Sequence, residues 1–242
     1  MGIGIFLTGT DTGVGKTMVA AALARYLRQD GSSIGVMKPV ETGVMAHALE
    51  HSDGYRLTKA AASRDEPPLV TPYQFHRPTA PLAASRQSSR PITLAEIARC
   101  YKTIAERHRI TLVEGAGGLL VPLGDTWDVR DLILELGLVV IVVGRTALGG
   151  INHARLTIEA LHVRHINLLA LVLNQAYPIS SALEWEQATS TCSLLRGLVA
   201  EPVLGPLPYA EIAGQDWQSA VDQLARDPLF ILLGDLISRI VP

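Results

Sequence analysis

The residues best able to do chemistry form one run near the start of the chain, Thr8-Gly9-Thr10-Asp11-Thr12-Gly13-Val14-Gly15-Lys16-Thr17. Glycines lack a Cβ, so Gly9, Gly13 and Gly15 let the backbone curl and turn successive N–H groups toward an anion. Lys16 then reaches terminal phosphates, Thr17 offers a hydroxyl to Mg²⁺, and the start of a following helix adds to the positive field. Five residues separate Gly9 from Gly15, where the usual pattern has about four. The run is a variant phosphate-binding loop.

Four later segments carry residues of the same kind: Lys38 to Gly43, Glu114 to Gly118, Gly149 to Asn152, and Asn174 with Gly205 to Glu211. Most follow a short apolar run that reads as a strand, and the ends of parallel strands converge on the edge where open α/β sheets bind ligands. Glu114 is a candidate Mg²⁺ ligand or water-holder opposite Thr17, and the glycines behind it allow backbone N–H groups to approach an anion. Lys38 is a second ammonium that could face a transferring phosphoryl group. On composition alone, Asp53 in Ser52-Asp53-Gly54 reads as a helix cap. His47 and His51 read as a solvated face, and Trp127, Trp185 and Trp217 as packing or surface coverage. No Ser-His-Asp order stands out.

The elements that position these residues alternate. Strands are expected at Ile3 to Thr8, Ser33 to Met37, Ile110 to Val113, Leu138 to Val143, Leu168 to Leu173 and Val199 to Leu204. Helices are expected at Lys16 to Gln29, up to about Ala62, from Thr93 to His108 with Glu96 closing a capping box, at Val129 to Leu136, Asn152 to Arg164 and Leu183 to Leu195, with more helix at the end. The Pro-, Ser- and Arg-rich interval Asp65 to Arg90 reads as an irregular excursion, and Gly205 to Tyr209 as a turn. Apolar strand blocks alternating with helices predict an α/β fold: a mostly parallel central sheet with helices on both faces.

The chain has 242 residues, 48% hydrophobic and 18% charged, with net charge −2. That suits one domain over residues 1–242 and disfavours nucleic-acid binding. Cys100 and Cys192 fall in expected helices and read as reduced packing residues. The opening Met1-Gly2-Ile3-Gly4 carries no basic or cleavable segment, and the most apolar run, Leu136 to Gly144, is too short to span a bilayer. A cytoplasmic protein without membrane partners is expected.

Taken together, the phosphate loop, Lys38-Pro39-Val40 with Thr42-Gly43, Ser52-Asp53, Val113 to Gly118, Gly150-Ile151-Asn152-His153-Ala154 and Asn174 resemble the dethiobiotin synthetase family. The five-residue loop is that family's own form. The resemblance implies a P-loop NTPase-like fold, ATP and Mg²⁺ as cofactors, and ligation of carbon dioxide to 7,8-diaminononanoate in a homodimer. By position, it implies that Lys16 and Lys38 contact the γ-phosphate and a substrate carbamate, and that Thr17, Asp53 and Glu114 hold Mg²⁺, which replaces the cap reading of Asp53. Gly13, Val14, Gly15 and Met18 of the loop, with Gly115, Ala116 and Gly117, would surround the nucleotide. Thr10, Asp11 and Thr42 would line the diamine site with the amides of Gly117 and Gly118. Gly150, Ile151 and Asn152 would receive the substrate's carboxylate tail from the partner subunit. Asn174 and Gln175 would meet the base, and Gly205, Leu207, Pro208 and Glu211 would complete the nucleoside pocket. This chain departs from some members in Gly13 and Gln175, where they carry acids, and in a longer loop at Arg145 to Gly149. A ParA/MinD-like switch ATPase shares the loop and sheet but normally carries a second lysine early in the loop, where Asp11-Thr12-Gly13 stand here. Cobyrinate-amide-synthetase-like ligases carry a glutaminase domain for which this chain lacks the length.

Overall fold

The computed structural model describes residues 2–29, 31–210 and 216–241; the expectations for Met1 and Glu211 lie outside the described residues. The first half runs through β1 (Ile3–Gly9), α1 (Lys16–Gln29), β2 (Ile34–Met37), β3 (Val40–Thr42), α2 (Asp53–Ala61), α3 (Pro67–Val70), β4 (Tyr73–Phe75), α4 (Pro81–Gln87), α5 (Leu94–Ala105) and β5 (Ile110–Gly118). It continues through α6 (Val129–Leu136), β6 (Val139–Arg145), α7 (Gly150–His162), β7 (Leu168–Asn174), α8 (Ala182–Leu198), β8 (Val203–Leu207), α9 (Trp217–Leu224) and α10 (Pro228–Ser238).

Six strands form one parallel sheet in the order β2-β5-β1-β6-β7-β8. The strands are apolar on both sides because both faces are covered. Along β1, Ile5 and Leu7 face a core that includes α1, α2, α9 and α10, whereas Phe6 faces one that includes α5, α6, α7 and α8. The chain steps from β1 out to β2 and later from β5 across β1 to β6, so the order switches at β1, where such sheets bind ligands. Register brings Leu7 beside Glu114, and Gly9 beside both Gly118 and Val143. The phosphate loop and the Glu114 segment are thereby neighbours at one edge.

Three expectations are corrected. The interval Asp65 to Arg90 is ordered into α3, β4 and α4, with β4 pairing parallel to β3 as a separate two-stranded sheet. Pro67 and Pro81 stand in the first turns of their helices, where a missing N–H costs nothing. The expected turn at Gly205 lies within β8, an edge strand, where Pro206 after a cis peptide bond breaks no central ladder. The capping box at Thr93 is half made: Thr93 Oγ1 accepts from Glu96 N, but Thr93 N donates to the Tyr73 hydroxyl at 3.1 Å and Glu96 binds Arg99. Cys100 and Cys192 are free and buried, and among the described residues no helix is long and apolar enough to cross a membrane.

Candidate active site

The loop between β1 and α1 turns at Gly13 and Gly15, whose φ angles of 75° and 92° favour glycine. Gly15 also allows a close approach: a Cβ there would lie 2.2 Å from Asn174 Nδ2. Asn174, at the end of β7, donates from that nitrogen to Val14 O at 3.0 Å and so braces the loop. Lys16 opens α1 and curls back to donate to Asp11 O at 3.0 Å. Burial, with the charge of Lys38 added, pushes its ammonium down to about 8.

Lys38 follows β2 and is buried. Its Nζ lies 2.5 Å from Glu114 Oε1, 2.8 Å from Asp53 Oδ2 and 3.2 Å from Gly115 O. Burial pushes this ammonium down, but the charges of Glu114 and Asp53 outweigh it and hold it above the usual lysine range. Glu114 Oε1 also accepts from Thr17 Oγ1 at 2.8 Å. Burial pushes the Glu114 carboxyl up against the pull of Lys38, and Asp53 pushes it further. Burial acts upward on Asp53 too, yet Lys38 holds it below the usual carboxylate range.

Asp53 is free to face Lys38 because it does not cap α2. Ser52 does, its hydroxyl accepting from Tyr55 N at 3.3 Å. The backbone N–H groups of Asp53 and Gly54 donate instead to Glu41, at 2.5 Å to Oε1 and 3.3 Å to Oε2. Glu41 is buried, and burial together with the Asp53 charge raises its carboxyl. The sequence reading passed over Glu41; its place between Lys38 and Thr42 at a strand end was the available signal. Arg56 and Trp217 also line this cleft of about 440 Å³, Trp217 while packing against the core as expected.

The remaining expected residues divide among neighbouring surfaces. Met18, Thr42, Ala116 and Gly117 line the same cleft as Lys16 and Lys38. Thr10, Asp11 and Gly118 line an adjoining cleft of about 390 Å³ with His153 and Leu156. Ile151 and Asn152, in the first turn of α7, face a third, about 780 Å³ in volume, between α7 and Leu198 to Glu201. Within one chain Gly150 to Asn152 do not line the Lys38 cleft. Gln175 is buried and its Oε1 accepts from Tyr209 N at 3.3 Å. Gly205 O accepts from Arg196 at 2.5 Å. Leu207 is buried in the core and its carbonyl accepts from Gln175 N at 3.0 Å, so its side chain is not open to a ligand; Pro208 beyond it is exposed.

Two carboxylates and a hydroxyl from Asp53, Glu114 and Thr17 fit Mg²⁺, which takes few protein oxygens and completes its shell with phosphate and water. Glu114 Oε2 is a buried acceptor with no hydrogen-bond partner among the described residues.

Residues 3–215 match the AAA domain family AAA_26. An ATP-dependent dethiobiotin synthetase from Anaeromyxobacter dehalogenans is 45% identical over 175 residues, 72% of this chain and 78% of the relative. Another from Thermodesulfovibrio yellowstonii is 38% identical over 225 residues, 89% of this chain and 92% of the relative. The chain belongs to the dethiobiotin synthetase family. Its fold is also similar to the signal recognition particle receptor FtsY from Elizabethkingia anophelis, with TM-score 0.52 and 11% identity over 93% of this chain; it spans 66% of that structure's length. That likeness, at 11% identity, shows the fold alone, whereas the family match over residues 3–215 includes Lys38, Asp53 and Glu114.

Proposed function

We propose that this chain is an ATP-dependent dethiobiotin synthetase of biotin synthesis, joining carbon dioxide to the two amines of 7,8-diaminononanoate to close a ureido ring. The observation that carries the reading is the buried Lys38, held between Glu114 and Asp53 beside the Lys16 loop, in a chain 38% identical to a dethiobiotin synthetase over 89% of its length.

In this reading one amine captures carbon dioxide as a carbamate, the carbamate oxygen takes the γ-phosphoryl of ATP, and the second amine displaces phosphate. The transfer joins two anions, so fixed cations and backbone donors have to offset their repulsion. Lys16 and the amides of the loop bind the phosphates. Lys38, kept protonated by two carboxylates, faces the transferring group and the carbamate. Mg²⁺ held by Thr17, Asp53 and Glu114 would supply a further positive charge to the phosphate oxygens. Thr10, Asp11, Thr42, Gly117 and Gly118 position the diamine where its amines lie in line with the carbamate, which is the effect of orientation. Asn174 and Gln175, with Gly205 and Pro208, meet the nucleoside. Two copies of the chain complete the site, the partner lending Gly150 to Asn152 to the substrate's carboxylate, and residues 1–242 act as one unit.

The direct test mixes the protein with 7,8-diaminononanoate, bicarbonate and Mg-ATP. Dethiobiotin with one ADP per turnover is expected. ADP formation that is indifferent to the diamine would reject the synthetase reading in favour of a switch ATPase.

A further inference from the structure

Six charged side chains line the Lys38 cleft, and five have their interactions accounted for: Lys38 binds Glu114 and Asp53, Lys16 curls onto the loop, and Glu41 holds the start of α2. Arg56 is the sixth. It stands one helical turn beyond Asp53 on α2, so the two side chains share a helix face. Its charge acts on Asp53, and its guanidinium carbon lies 5.2 Å from the centroid of the Trp217 ring, across the gap between α2 and α9. Among the described residues the guanidinium makes no direct hydrogen bond. A guanidinium over an aromatic face is attracted by the ring without giving up its forked N–H donors, and that fork matches phosphate oxygens.

We propose that Arg56 is a nucleotide-binding residue of this cleft, donating to phosphate oxygens while the Trp217 ring holds its guanidinium in place. The inference rests on the reading of the cleft as an ATP site. It adds a cation whose place is set by α2 and α9 rather than by the glycine loop. The three donors of Lys38 are taken by Glu114, Asp53 and Gly115 O and one of Lys16 by Asp11 O, whereas those of Arg56 make no hydrogen bond among the described residues. The ligand class is a nucleoside di- or triphosphate, and the contact is to its phosphates, not its base.

The test uses the full chain with Trp127→Phe and Trp185→Phe, which leaves Trp217 as the only tryptophan, and titrates it with Mg-ADP. Emission from Trp217 should change on saturation and return the dissociation constant. In Arg56→Ala, calorimetry should show Mg-ADP binding weakened about tenfold, the size of one charge-assisted contact. Arg56→Lys, which keeps the charge but loses the fork, should fall between the two. Arg56→Gln keeps the stem and hydrogen bonding, and carries the same expectation as the alanine variant if that one folds poorly. Nucleotide binding within twofold of the parent in both neutral variants, or Trp217 emission indifferent to saturating Mg-ADP, overturns the role of Arg56 and leaves the synthetase reading standing. A parent chain that binds no nucleotide overturns both.

Discussion

Lys38 is the residue on which the proposed chemistry turns. Its three N–H donors are held by Glu114, Asp53 and Gly115 O before any ligand is considered, so facing a transferring phosphoryl group means exchanging one of these contacts, as binding of Mg²⁺ by the two carboxylates would allow. Lys38→Ala should lower kcat by about 10²–10³ while Mg-nucleotide still binds, as for a contact strongest in the transition state; initial rates and calorimetry on the same sample check this. Lys16 carries the pH dependence. Its ammonium titrates near 8, and the protonated form is the one that attracts phosphate. As pH rises through that value the cation is lost, so kcat/KM for ATP should be level below it and fall above it, with an apparent value close to 8 in a pH profile. Glu41 acts through a neighbour. Its two oxygens hold the N–H groups of Asp53 and Gly54, and this turns the Asp53 carboxylate to Lys38. Glu41→Gln exchanges one acceptor for a donor facing a backbone N–H. The apparent affinity for Mg²⁺ should weaken about tenfold, from the loss of one buried contact, and a magnesium titration of the rate reads it.

At the scale of elements, the start of α2 is seated by Ser52 and Glu41 and by the absence of a side chain at Gly54, where a Cβ would lie 2.1 Å from Thr71 Oγ1. A second tie lies at the opposite edge of the sheet. Ser33 Oγ pairs with His108 Nδ1 at 2.8 Å, His108 Nε2 with Asp65 at 2.7 Å, and Arg107 with Asp65 at 2.9 Å. A serine, a histidine and an aspartate therefore do form a hydrogen-bonded chain, although no such order stands out in the sequence. It joins the segment before α3 to the start of β2 and to the α5–β5 connection, at the edge away from the phosphate loop. Its role is cohesion. Burial pushes the Asp65 carboxyl up, but Ser63, Arg107 and His108 hold it below the usual carboxylate range. A carboxyl lowered in the folded state stabilises at pH values above its unfolded pKa of about 4 and loses that contribution as pH falls through the folded value. Asp65→Asn should therefore lower stability near neutrality by about 1–3 kcal/mol, with the difference from the parent narrowing in acid. Urea midpoints across pH measure it.

For the whole molecule, the exposed Leu148 and Leu156 flank the Gly150 to Asn152 turn of the single chain, apolar surface that the proposed dimer would cover. Sedimentation should give twice the 26.0 kDa chain mass, and Leu148→Glu should split the proposed dimer with loss of turnover, because in that reading the partner's α7 would complete the site. The six-stranded parallel sheet was legible in the sequence because its causes are local: solid apolar runs such as Val139 to Val143, a two-sided burial that no hairpin provides, and glycines where the chain turns. The loop from Thr8 to Thr17 was legible for the same reason. The ordering of Asp65 to Arg90 was not, since β4 is specified by pairing with β3 and by Tyr73 and Phe75 entering a core built from distant segments. By itself, then, the sequence determined the alternating elements, the phosphate loop and, through its ordered segments, the family. Only the tertiary structure decided that Lys38 lies between Glu114 and Asp53, that Glu41 rather than Asp53 takes the backbone of α2, and that Arg56 meets Trp217. Those partners stand 12 to 161 positions apart along the chain, and such contacts follow from how the elements pack rather than from the residues beside them.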